Sequence, residues 1–270
     1  MTDDINASLV KKLRERTGVG MMTCKKALIE AKGNIEKAID YMRIMGLSAA
    51  AKKSYPISSS GEGMILIKIK DSFGSMVEIN SETDFVTNNI HFKTFANNVI
   101  STALSEQITD IKILQSLFEQ QRIALMTLMG ERIHIRRLAF LEENIIGYYI
   151  HGSRIGVMVT LTNDQKKELG KQIAMHITAC KPAYIKPESI PLQVLEREQK
   201  IHQAILSKST FPSIEISKKI FTGRMQKFIT ESSLTEQKFI FEPTKTVREV
   251  LKENNTQVNN FIRFEVGEEI

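Results

Sequence analysis

The residues able to do acid–base, metal or nucleophilic chemistry are scattered along this chain. Five histidines, His91, His134, His151, His176 and His202, fall on different stretches, and no HExxH pattern joins any two of them. Cys24 and Cys180 lie far apart and form no CxxC pair. Neither metal ligation nor a disulfide framework is indicated, and two buried reduced thiols are the plain expectation. The glycine pairs Gly18/Gly20 and Gly61/Gly63 make neither a GxGxxG fingerprint nor a P-loop. Glu142-Glu143 and Glu268-Glu269 read as solvated strand or chain ends. A Ser/His/Asp set stays open, although nothing resembles a nucleophile elbow. The stretch with the clearest chemical character is instead Asn80-Ser81-Glu82-Thr83-Asp84-Phe85-Val86-Thr87-Asn88-Asn89, set between a strand pattern and a helix pattern. A Phe amid acids, amides and hydroxyls is badly placed for its own core. Thr83, Asp84, Phe85 and Val86 are therefore candidates for contact with another molecule.

The elements that carry this loop emerge when the chain is compared with itself. Met64 to Ile69 and Ser75 to Ile79 read as a hairpin turning at Phe73-Gly74, and Ile146 to His151 and Gly156 to Leu161 as another turning at Gly152-Ser153-Arg154. A helix follows each, marked by Phe95, Val99 and Ala103 in the first and by Leu169, Ile173 and Ile177 in the second, at the same spacing. Aligned on Gly74 and Gly156, the first copy holds about eight more residues between hairpin and helix, within the stretch containing Thr83 to Val86. A third strand closes each copy, with Ile135-Arg136 set against Ile262-Arg263. The second copy holds a long insertion, residues 182–228. There Ile190, Val194, Ile201 and Ile205, then Ile216, Ile220, Phe221 and Met225, make two narrow apolar stripes around a turn at Ser207 to Ser213, as an antiparallel helical hairpin would. Chance similarity of short β-β-α patterns is the competing explanation of the repeat.

Residues 5–46 read as three short helices. Ser8 is expected to cap the first, Thr17-Gly18-Val19-Gly20 to break it, Thr23 to cap the second over Cys24 to Lys32, and Asn34 the third. Some forty residues bury little core, so such a module suits docking better than catalysis. Met21 and Met22 stand at the mouth of the glycine loop, either packed inside or facing a partner. The expected divisions are 1–48 for the docking module, 49–62 for a linker rich in Ala and Ser, 63–143 for the first core subdomain, 144–181 with 229–270 for the second, and 182–228 for the inserted hairpin. The fold class is α+β.

Composition sets outer bounds. The chain has 270 residues, 42% of them hydrophobic and 25% charged, ordinary values for a globular protein of two or three domains. A formal net charge of +6 is spread without a basic block, so charge alone gives no reason to expect nucleic acid. The acidic start Met1-Thr2-Asp3-Asp4-Ile5 is neither a signal nor a transit peptide, and no apolar stretch approaches the roughly 18 residues of a membrane span. A cytoplasmic protein is expected, with no membrane partner.

Several stretches together resemble the bacterial translation elongation factor Ts family. Leu9-Val10-Lys11-Lys12-Leu13-Arg14-Glu15-Arg16-Thr17-Gly18-Val19-Gly20-Met21-Met22 with Cys24-Lys25-Lys26-Ala27-Leu28 is similar to its N-terminal signature, and Glu78 to Val86 to its second. His151 to Val157, Met175-His176-Ile177, Lys181-Pro182 and Phe261 to Gly267 match in order. The resemblance implies a ubiquitin-associated-like front module, a duplicated core of two antiparallel three-stranded sheets, and a coiled-coil hairpin. It implies guanine nucleotide exchange on elongation factor Tu, in its GDP and nucleotide-free forms, with no cofactor and no resident metal. On that likeness Asp84 and Phe85 enter the partner beside its Mg²⁺, dislodging the metal so that GDP leaves and GTP reloads. Met21 and Met22 are similar to positions that grip the same partner domain, and His151 to one that meets another. Many members continue past the last strand into a C-terminal helix that touches the partner, and the end at Ile270 leads one to expect that contact to be missing. Rival readings are an adaptor that binds a ubiquitin-like surface or ribosomal protein, with the hairpin as a homodimerisation arm, and, more distantly, a hydrolase or metal enzyme.

Overall fold

The computed structural model describes residues 6–45, 62–143, 146–162, 167–207 and 214–268. The expected linker, all but its last residue, and the expected hairpin turn from 208 on lie outside them, as does Gly46, expected to stop the third helix. In chain order the elements are α1 (Ala7–Thr17), α2 (Met21–Glu30), α3 (Ile35–Ile44), β1 (Gly63–Lys70), β2 (Phe73–Asn80), α4 (Asp84–Asn88), α5 (Ile90–Ser105), α6 (Ile111–Met129), β3 (His134–Glu142), β4 (Ile146–His151), β5 (Ile155–Leu161), α7 (Lys167–Cys180), α8 (Leu192–Ser207), α9 (Ile214–Ser232), β6 (Lys238–Phe239), β7 (Glu242–Thr246), α10 (Val247–Glu253) and β8 (Val258–Glu265). The fold is α+β, with small antiparallel sheets. The chain divides into two compact units, one holding the three front helices with Glu188–Thr230 and the other holding Ser60–Pro187 with Glu231–Gly267.

In the first unit α1, α2 and α3 close around Val10, Leu13, Cys24, Ala27, Leu28, Ala38 and Met42. Asn6, not Ser8, caps α1, accepting from the Ser8 N–H at 3.0 Å. Gly20, not Thr23, stands at the N-cap of α2, so Met21 and Met22 form the first turn of a helix rather than the mouth of a loop. Asn34 caps α3 as expected, accepting from the Lys37 N–H. Beside this module runs α8. Arg197 binds both Asp40 and Glu36 of α3, and Arg43 of α3 binds the buried Glu198 at 2.8 Å, next to His202. Burial alone would raise the Glu36 carboxyl, but Arg16 and Arg197 outweigh it and hold it below the usual carboxylate range. One face of α8 is thus covered within the chain. On another side Leu206 of α8 and Phe221 of α9 line a common groove.

The second unit is built on two three-stranded antiparallel sheets, ordered β1-β2-β3 and β4-β5-β8. In each the central strand is buried on both faces, because one face meets helices and the other meets the opposite sheet. Val77 and Ile79 of β2 pack under α5 with Phe95, Val99, Ile100 and Ala103, and Val157, Val159 and Leu161 of β5 pack under α7 with Leu169, Ile173 and Ile177. Between the sheets lie Ile65, Ile67, Met76, Leu141, Met158, Phe264 and Val266.

Two glycines allow this face-to-face approach. A Cβ on Gly74 would lie 2.9 Å from Ile146 Cδ1 and 3.2 Å from the Met158 sulfur, and one on Gly156 2.5 Å from Ile65 Cγ2 and 3.0 Å from the Met76 sulfur, so an isoleucine and a methionine of the other sheet fill the place at each glycine. The ladder between each central strand and its third strand shifts register at matching places, Glu78/Ile79 and Thr160/Leu161, where β3 and β8 each hold one extra residue, Arg136 and Asn259. Here the structure corrects the alignment of the third strands. Ile135 stands opposite Ile79 and Val258 opposite Leu161, so Ile135 corresponds to Val258 rather than to Ile262. A slip of four residues keeps every side chain on its own face of the sheet, which is why alternation could not reveal it.

The inserted helices leave and rejoin the second unit at one place. The Ala183 and Tyr184 N–H groups donate to the Ser232 carbonyl, and the Leu234 N–H donates back to Tyr184. Beyond this point lies a short β6–β7 pair, which no sequence pattern announced, with Ile240 and Phe241 exposed at its turn. Thr246 then opens α10 with a reciprocal capping box to Glu249.

Candidate functional site

Asn80 ends β2, and Thr83, with an extended backbone, opens the single short helix α4 before Asn89 starts α5. What was expected as a loop is therefore a helical turn. Its four candidate residues divide. Val86 is 5% exposed and belongs to the core under the first sheet, and Thr87 beside it is buried, its hydroxyl donating to the Asp84 carbonyl at 2.9 Å. Phe85 is 84% exposed, more than any other large hydrophobic side chain among the described residues, and Asp84 is exposed next to it. Helical rotation explains the division, since adjacent residues on a helix point about 100° apart and α4 has only one covered face.

The entry to α4 is held from a different direction. The Thr83 N–H donates to Glu131 Oε2 at 3.0 Å and its hydroxyl to Glu131 Oε1 at 2.7 Å. The Ser81 hydroxyl donates to the Thr83 carbonyl, and the Ser81 N–H to the Glu62 carbonyl. Glu131 follows Gly130, whose left-handed φ of 72° ends α6 and reverses the chain. Reading the sequence singled out Thr83 but not Glu131, because a lone Glu after a helix-ending glycine carries no signal of its partner. Nine residues lie between β2 and α5, whereas five, 162–166, lie between β5 and α7.

Met21 and Met22, at 50% and 68% exposure, face outward on the first turn of α2 while Cys24, Ala27 and Leu28 fill the core. His151, also exposed, ends β4 beside a turn in which both Gly152 and Ser153 have left-handed φ, and its Nδ1 lies 3.3 Å from the Tyr149 hydroxyl. His176 by contrast is fully buried. Its Nε2 meets Gln237 Oε1 at 2.9 Å while Nδ1 accepts from the Ile240 N–H, a pairing that assigns the neutral tautomer protonated at Nε2. Burial lowers its pKa, the hydrogen bond to Gln237 opposing in part. Cys180 is half-buried, and burial raises its thiol pKa.

A second feature escaped the sequence. Glu78, buried in β2, binds Arg136 at 3.0 Å and also Arg137, and accepts from the Gly267 N–H at 3.1 Å. Arg137 crosses to the other sheet, donating to the Glu265 carbonyl and stacking 4.0 Å from the Phe264 ring. This network ties the strand that leads into α4 to the last strand of the second sheet.

Among the described residues, no three His, Cys, Asp or Glu are grouped to hold a metal ion, and no helix is long and apolar enough to cross a membrane. The arrangement around α4 offers a fixed, protruding aromatic ring and carboxylate rather than a cavity for a substrate.

A sequence model described as "Elongation factor TS" matches residues 82–268, a span that takes in α4 and both sheets' closing strands. The chain is also similar to proteins named "Elongation factor Ts" from Yersinia pestis (strain Pestoides F) and Yersinia pseudotuberculosis serotype O:1b (strain IP 31758). Each is 53% identical over 268 residues, which is 98% of this chain and 93% of the relative. The chain therefore belongs to the elongation factor Ts family, nucleotide exchange factors of translation elongation that perform no chemistry of their own.

Proposed function

We propose that this protein is the guanine nucleotide exchange factor for elongation factor Tu in the cytoplasm, and that α4 is the element that disturbs the partner's nucleotide site. The observation that carries the reading is the exposed Phe85 on a helix already anchored by Val86 and Thr83. A ring that the chain's own packing does not use, held at a fixed place, is suited to entering another protein. Asp84 beside it brings a carboxylate toward the partner's Mg²⁺, and loss of that ion loosens the bound GDP and opens the way for GTP.

Magnitudes limit what α4 does alone. Speeding release by about 10⁴ requires roughly 5.5 kcal/mol of barrier lowering. Burying one Phe contributes about 1.5–3 kcal/mol. The remainder must come from contacts that hold the distorted partner, and Met21, Met22 and His151 are the proposed ones. Binding of factor and of nucleotide then oppose each other by the same coupling free energy.

The same reading includes an ancestral duplication of the core. It is supported by the reciprocal fit of Gly74 on Met158 and Gly156 on Met76, by the matching bulges, and by equivalent helices over both sheets. The front helices are proposed as a ubiquitin-associated-like docking module. The test of function is stopped-flow release of a fluorescent GDP from elongation factor Tu. Acceleration by the full chain, weakened in Phe85→Ala, is expected, and unchanged release with that variant would overturn the role of α4.

A further inference from the structure

Phe85 lies between two anchors of different kind. On its C-terminal side Val86 and Thr87 are packed into the core. On its N-terminal side Thr83 is held by Glu131 through two hydrogen bonds of 3.0 and 2.7 Å, and by the Ser81 hydroxyl, which donates to its carbonyl. We infer that Glu131 is a positioning residue for exchange, its carboxylate fixing the entry of α4 so that Asp84 and Phe85 meet the partner in one orientation. This rests on the reading of α4 given above.

Thr83 stands at the N-cap of α4, yet its side chain makes no hydrogen bond to the helix's own N–H groups. Its hydroxyl proton is given to Glu131 instead. The helix that carries Phe85 is thus capped from outside, by a residue on the turn between α6 and β3. Charge-assisted hydrogen bonds to a carboxylate are about twice as strong as neutral ones, and a bidentate pair also fixes direction. The neighbouring pair, Arg132 with Glu82 at 3.7 Å, is exposed on both sides and adds little. A more loosely held entry would let α4 pivot on Val86, and ordering it would then be charged against the step in which Asp84 and Phe85 enter the partner's nucleotide site.

Glu131 is half-buried just past the end of α6 and its side chain holds Thr83 by hydrogen bonds, so melting temperature and release are read side by side to separate its effect from folding. The experiment uses the full chain and elongation factor Tu loaded with fluorescent GDP. Glu131→Gln, which removes the carboxylate's charge and obliges the Thr83 hydroxyl to accept rather than donate, should slow release at saturating factor by roughly ten-fold. Affinity for nucleotide-free partner should fall less, within about three-fold, since other contacts supply it. Thr83→Val should slow release similarly, Thr83→Ser should not, and the Glu131→Gln/Thr83→Val pair should cost no more than either alone. A merely structural bond would lower the melting temperature without this split. Release by Glu131→Gln within about two-fold of the unmodified chain overturns the inference, as does an additive double variant. Should Glu131→Gln not fold, Thr83→Val against Thr83→Ser decides alone. Phe85→Ala measured alongside separates the two readings. Slowed release there with normal release in Glu131→Gln discards the positioning role only, and normal release in both discards the role of α4 as well.

Discussion

Phe85 and Val86 are neighbours with opposite duties. Val86 is part of the core under the first sheet, whereas Phe85 leaves its ring in water. Val86→Ala should therefore lower stability by about 1–2 kcal/mol through lost burial and a small cavity, read in denaturant melts. Phe85→Ala should change stability by less than about 0.5 kcal/mol while slowing GDP release from elongation factor Tu more than it weakens binding. A large stability loss in Phe85→Ala would mean that the ring packs on its own chain after all. Another residue-scale expectation concerns His176. Its folded pKa lies below the ordinary 6.5, so the unfolded chain binds the extra proton first. Stability should hold above pH 6.5 and fall as pH drops below it, until the buried ring itself titrates. Glu265 acts lower on the scale. Burial would raise it, but Arg263 and Lys181 outweigh that and hold it below 4.5, so its contribution is lost only as pH falls through that lower range. Thermal melts from pH 7.5 to 5 should show the His176 effect, and His176→Gln should flatten it.

At the scale of elements, the insertion and the bulged strands matter most. The chain enters the α8–α9 insertion after Tyr184 and returns at Ser232, where backbone hydrogen bonds bring the two together. Replacing Glu188–Thr230 by a short glycine-serine link should leave the second unit able to melt cooperatively, because none of its sheet or helix cores draws on those residues. A broad, non-cooperative transition in that deletion would show that the insertion is required for the core. The bulges, at Arg136 of β3 and Asn259 of β8, face the C-terminal ends of β2 and β5, next to where the chain leaves β2 for α4, and a bulge locally bends the strand that carries it.

At the scale of the whole second unit, the two sheets meet through two glycines. A Cβ on Gly156 would approach Ile65 Cγ2 to 2.5 Å and the Met76 sulfur to 3.0 Å. Gly156→Ala should destabilise the unit by about 1–3 kcal/mol through overpacking, measured by chemical denaturation. A neutral outcome would show that Met76 and Ile65 have room to move. Because Glu78, Arg137 and Phe264 bridge the same sheets next to the strand that leads into α4, loosening this interface should also slow exchange.

Much of this was legible in residue order. Turn glycines, apolar spacing and helix caps such as Asn34 are local, and local patterns announce the two hairpins, the helices that follow them and the extra segment that holds Phe85. The misreadings have equally physical causes. Ser8 and Asn6 are both competent caps, and only the direction of the chain chose Asn6. The third strands slipped by four residues because a strand's faces repeat every two. Glu131 and Glu78 were invisible because a carboxylate's partner is set by chain crossings tens of residues away. The sequence by itself determined the front helices, the two hairpins and the helices that follow them, but not that α4 is helical or that β6 and β7 pair, and it determined that Phe85 has no place in a core. Only the tertiary structure decided that Val86 does have one, and that a distant Glu holds Thr83, since hydrogen bonds and burial depend on which segments fold against each other.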